Sequence, residues 1–217
     1  MPLKNYKQIF YEIRKSHFVR VQSLVLFIIT YIDWTILPFV TKLEGTYLPV
    51  YMISFFMLIG ALDGFIQPLF KNIRIYNIYL FSIALDIIQI ASYSIYSYSI
   101  LAFTYVILAI FTIQGITFEI ARVHTVDFMQ DEDVELKDYL MIRSFVISAA
   151  IISGGVSSIL FDSLKVDMIT LLIMLSFFGL VGIFFQYKLY RKFKKRALNS
   201  PVELLKDRKE IFEKMRC

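Results

Sequence analysis

Residues 75–93 read Ile-Tyr-Asn-Ile-Tyr-Leu-Phe-Ser-Ile-Ala-Leu-Asp-Ile-Ile-Gln-Ile-Ala-Ser-Tyr. The stretch holds no lysine or arginine and one carboxylate, Asp86. As a helix rising 1.5 Å per residue it covers roughly 30 Å, the thickness of a bilayer's hydrocarbon core. Its polar members, Tyr79, Ser82, Asp86, Gln89 and Tyr93, recur at spacings of three and four and so share one helix face. A helix that is oily elsewhere and polar along one stripe predicts a membrane span whose stripe points at protein or water rather than lipid. The chain around it agrees: 58% of its 217 residues are hydrophobic, where a soluble domain runs nearer half. Mean hydropathy is +0.64.

Upstream, Gly60-Ala-Leu-Asp-Gly-Phe-Ile-Gln-Pro-Leu-Phe-Lys-Asn-Ile-Arg74 begins in an apolar run and ends in a basic turn. It reads as the inner end of a second span, about Tyr47–Phe70, turning back into the third, about Ile75–Tyr93. Gly60 and Gly64 form a G-x-x-x-G pair, which lets another helix approach closely. Asp63 lies about 12 Å along the helix axis from Lys71. The first span covers about Val21–Thr41, the fourth starts near Ile100 and runs on through Glu119 and Arg122 towards Asp127, the fifth is about Tyr139–Phe161 and the sixth about Met168–Tyr187. Further packing faces are Ala150, Ser153, Gly154 and Ser157 on the fifth span and Ser176, Gly179 and Gly182 on the sixth.

The expected fold class is therefore an all-α integral membrane protein with six transmembrane helices, in three parts. Residues 1–20 form an amphipathic basic N-terminal segment, 21–187 the six-helix domain, and 188–217 a basic tail. In that tail Ser200-Pro201-Val202-Glu203 opens an amphipathic helix, with a serine cap, a proline in the first turn and a glutamate three after the cap. Lysine and arginine crowd the loops on the side of both termini, while the opposite loops offer only Lys42 and Lys165. That asymmetry predicts cytoplasmic termini in an inner or plasma membrane.

Carboxylates inside hydrocarbon are costly, about 2.5–3.5 kcal/mol for a central Asp on insertion scales, and mark ion or substrate paths. Asp33, Asp86, Gln89 and Gln114 are the candidate path residues. Glu119 and Arg122, one turn apart, are candidate ion-pair partners and join Gly60, Asp63 and Gly64 as gating or structural residues. The structural alternative for each is a hydrogen bond or packing contact between helices. Catalytic residues, cofactors and metal sites are not expected. Cys217 is the single cysteine and His17 and His124 the two histidines, too few for thiol or histidine metal sites. No phosphate-binding glycine loop occurs. Asp63-Gly64 with Asp86 is similar to part of the CDP-alcohol phosphotransferase signature. Those enzymes need four aspartates to hold metals and a diphosphate, and here Gly60 and Ile90 stand at two of the positions.

The architecture resembles one half of a major facilitator superfamily transporter. Asp33-Trp-Thr-Ile36 with Leu37-Pro38 is similar to that family's helix-one D-x-T-I stretch, and Gly60–Arg74 resembles its helix 2–3 signature. Gln114-Gly115 through Arg122, Asp127 and Arg143 to Gly154-Gly155 resembles its helix 4–5 region, with Phe111 where the family's R-x-x-Q-G motif has arginine. The resemblance implies two three-helix repeats of inverted topology. It also implies a secondary transporter of a small solute that works as a homodimer or with a second six-helix half in the lipid bilayer, without nucleic acid. A substrate-binding membrane subunit served by a separate ATPase, and a non-transporting scaffold, fit the same features. If Asp63 gates the cytoplasmic side, Asp63→Asn will change the labelling rate of cysteines placed in the fourth span by a cytoplasmic thiol reagent. An unchanged rate retires that role.

Overall fold

A computed structural model describes residues 11, 13, 16–44, 73–129 and 136–199. Within them the chain is helical, without strands. The helices are α1 (His17–Glu44), α2 (Ile75–Ser92), α3 (Ile100–Met129), α4 (Leu136–Ser163) and α5 (Met168–Asn199). A 3-10 turn, Tyr93–Ser97, follows α2. All five helices are long and apolar enough to cross a membrane. They correspond to the first, third, fourth, fifth and sixth expected spans. The second, Tyr47–Phe70, lies outside the described residues, as do Gly60, Asp63, Gly64 and the segment after Ser200.

The helix ends have local causes. Ser16 starts α1: its Oγ accepts from Val19 N at 3.3 Å, a serine cap on orphan amides. The helix thus begins four residues before the expected Val21, and the boundary at residue 20 falls inside it. Lys165 ends α4 in the left-handed region (φ 53). There Lys165 N donates to Asp162 O at 3.0 Å and Val166 N to Phe161 O at 2.9 Å, the paired bonds of a Schellman motif. Asp167 caps α5, accepting from Thr170 N at 2.9 Å and from Thr170 Oγ1 at 2.5 Å. Those bonds hold its carboxyl below the ordinary range. The cap therefore contributes stability above the unfolded carboxyl pKa and loses it as pH falls through the lowered folded value.

Helix α5 runs through the expected boundary at residue 188 to Asn199 without a break. Leu189 and Phe193, each 2% exposed, continue its buried stripe, while Arg191, Lys192, Lys194, Lys195 and Arg196 occupy the remaining faces. Phe193 meets Phe18 edge-on at 5.5 Å and stacks on Tyr79 at 5.2 Å. Packing thus carries the helix past the point where composition turns basic.

Helix α1 packs along α4, α5 packs on both α1 and α2, and α2 packs on α3. Two apolar layers result. One joins Phe18, Val25, Tyr79, Tyr139, Ile142 and Phe193 at the basic end. The other joins Ile36, Val40, Phe103, Ile107, Leu171 and Leu175 at the opposite end. Helices α1 and α4 approach each other tightly at Gly154. A Cβ there would lie 2.9 Å from Tyr31 O and 3.2 Å from Thr35 N, whereas one at Gly155 meets nothing within 4 Å. Gly154→Ala should therefore lower thermal stability in detergent by about 1–3 kcal/mol through overpacking. Gly155→Ala should leave it unchanged.

Candidate functional site

Between the two apolar layers lies a polar one. Its centre is Asp86 on α2, 4% exposed. Gln114 on α3 donates Nε2 to Asp86 Oδ1 at 2.8 Å and to Gln89 Oε1 at 2.9 Å. Gln186 on α5 donates Nε2 to Asp86 Oδ2. Gln89 in turn donates Nε2 to Asp33 Oδ1 on α1 at 3.5 Å, and its backbone carbonyl accepts from Ser92 Oγ at 2.6 Å. The four candidate path residues thus come together, joined by a fifth from α5.

Gln186 was not among the residues expected here. The signal was available: Ser176, Gly179, Gly182 and Gln186 follow one another at spacings of three, three and four, so the amide belongs to the small-residue face. That face explains how Gln186 reaches Asp86. A Cβ at Gly179 would stand 3.0 Å from Ile90 Cδ1 on α2, and one at Gly182 3.1 Å from Ile28 Cγ2 on α1. The two glycines let α5 settle against both neighbours within two turns of the glutamine.

A second polar group lies nearer the basic end. Gln22 on α1 points Nε2 at Tyr139 Oη (3.0 Å), Thr125 Oγ1 (3.4 Å) and Tyr79 Oη (3.5 Å). Beside it is a cavity of about 30 Å³, walled by Gln22, Tyr79, Ser82, Thr117, Arg122 and Arg143 among others. That volume suffices for about two waters. Ser82 and Tyr79 belong to the same α2 stripe as Asp86, so the cavity adjoins the polar layer one turn away.

Glu119 and Arg122 pair as expected, with Arg122 Nε 2.7 Å from Glu119 Oε2. The geometry is that of an ionic contact rather than an aligned hydrogen bond. The structure adds a third member: Arg143 Nη2 on α4 donates to Glu119 Oε1 at 2.6 Å. One carboxylate therefore holds two guanidiniums, Arg122 on its own helix and Arg143 across on α4. Among the described residues no group of three or more His, Cys, Asp or Glu is placed to hold a metal ion.

Comparison with protein-family models, with curated proteins and with solved structures finds no match.

Glu119 is the common counter-charge of Arg122 and the largely buried Arg143. Glu119→Gln should lower unfolding stability by about 1–3 kcal/mol, less than a fully buried pair because both ends keep some exposure. Adding Arg143→Gln should return part of that loss in the same unfolding assay.

Proposed function

We propose that this chain is a secondary-transporter-like membrane protein that moves a small solute, built as one six-helix half of the major facilitator kind. It works as a homodimer or with a second half, and its termini lie in the cytoplasm. The observation that carries the reading is the polar layer. Asp33, Asp86, Gln89, Gln114 and Gln186 meet at mid-helix on four helices, joined by hydrogen bonds to one another. Structural glue would need one donor and one acceptor at a helix contact. This layer has two carboxylates and an adjoining cavity, the arrangement expected of an ion or substrate path.

The helix contacts support the repeat organisation. An inverted repeat exchanges the first span with the fourth and the third with the sixth, so α1 with α3 and α2 with α5. Under that exchange the α1–α5 contact becomes α3–α2, and both are made. The α2–α5 contact becomes itself. The polar layer has both carboxylates, with Gln89, on α1 and α2, and the amides of Gln114 and Gln186 on α3 and α5. Ligand and ion sites of such folds lie near the bilayer midplane between repeats.

The path of this reading runs from the cavity through Ser82 to Asp86. In a Cys217→Ser background, Ser82→Cys should react with a water-soluble thiol reagent in native membranes. Asp33→Asn and Asp86→Asn should each change its rate at least threefold by shifting the balance of open states. A cysteine that never reacts, or rates that ignore both carboxylates, would favour a static scaffold.

A further inference from the structure

Two atoms are left over in the polar layer. Gln114 Oε1 and Gln186 Oε1 are buried and accept no hydrogen bond, on side chains 1% and 0% exposed. The amide nitrogens of the same two residues both donate to Asp86. With the oxygens of Asp33, Asp86 and Gln89 beside them, the layer is rich in acceptors and short of positive charge.

The groups that face Asp86 can be named element by element. They are Gln114 from α3, Gln186 from α5, Asp33 from α1 and Tyr93 from the 3-10 turn, with Gln89 one turn along α2 itself. None is a lysine, arginine or histidine. The described guanidiniums nearest in sequence on α3 and α4, Arg122 and Arg143, contact Glu119 instead. A buried carboxylate without a counter-charge among the described residues and two buried carbonyls without a donor among them share one remedy, a cation at the layer.

We propose that Asp86, with Gln114 and Gln186, is a monovalent-cation site that takes Na+, or a proton in its place. Turning both amides by half a revolution exchanges each nitrogen for its orphan oxygen. The Asp86 carboxylate then faces Oε1 of Gln114, of Gln186 and of Gln89 with oxygen atoms alone. An all-oxygen set suits a hard cation and not a thiol- or imidazole-seeking transition metal. Charge selects monovalence: Asp33 meets the layer through Gln89, so one carboxylate touches both amides. A proton on Asp86 would be donated to one turned carbonyl and needs no added space. The site rests on the transport reading for its purpose, while its binding is measurable without it.

The test uses the full-length protein in detergent, with Trp34, its single tryptophan and the neighbour of Asp33, as reporter. NaCl is titrated against choline chloride at constant ionic strength, at pH 8.5 and pH 6, following Trp34 fluorescence and melting temperature. The expected result is a saturable Na+ response, with melting raised by about 5 °C at a hundredfold excess over half-saturation. Half-saturation should move at least tenfold higher at the lower pH, and Asp86→Asn should abolish the response. A response to pH alone, abolished by the same variant, identifies the proton as the occupant. A wild-type protein that answers to neither ion, or an Asp86→Asn protein that answers like wild type, overturns the site.

If Asp86→Asn does not fold, Gln186→Leu removes one oxygen and keeps the carboxylate. It should weaken the response at least tenfold, and an unchanged response equally overturns the proposal. Cation binding together with unreactive Ser82→Cys would retire transport alone. Carboxylate-dependent labelling without a cation response would retire the cation site alone.

Discussion

The structure is organised by one demand: a carboxylate buried in the middle of a bundle of helices apolar enough to cross a membrane must be met by donors from its neighbours. Asp86 receives the amides of Gln114 and Gln186, and so fixes how α3 and α5 stand against α2. In hydrocarbon no water competes for these bonds, and the helices that carry them cannot rotate far without leaving the charge unmet. The apolar layers on either side supply contact area but little direction. Leucine and isoleucine pack in many registers, and lipid is as apolar as they are.

Small residues make that demand geometrically possible. Gly179 and Gly182 admit Ile90 and Ile28, drawing α5 into the angle between α2 and α1. Gly154 does the same where α4 lies on α1, with Thr35 Oγ1 reaching across to Gly154 O at 3.5 Å. Lower in the bundle, Glu119 draws α4 to α3 by charge, and Gln22 gathers hydroxyls from α2, α3 and α4. Each of these pairings of described helices thus has either a close backbone approach or a directed polar bond.

Much of this was legible in the sequence. The stripe Tyr79–Ser82–Asp86–Gln89–Tyr93 was readable because helical spacing maps sequence onto a face, and all five of its members are buried. The apolar blocks gave five described helices at about the expected places. Gln186 was missed because it lies near the basic tail, where a polar residue reads as the end of a span. Burial of Leu189 and Phe193, which keeps that helix going, is a tertiary fact. Arg143 escaped as a partner of Glu119 for a similar reason: the pair is 24 residues apart, and only the fold of α3 against α4 joins them. The pairing of Glu119 with Arg122 was readable, because one helical turn separates them.

The account stands on Asp86 and Gln186 acting together across α2 and α5. A double-mutant cycle on Asp86→Ala and Gln186→Ala, read as reversible unfolding free energy in mixed micelles, measures that directly. Coupling of about 1 kcal/mol is predicted, within the range of interhelical hydrogen bonds in membranes. Additivity to within about 0.3 kcal/mol would contradict it.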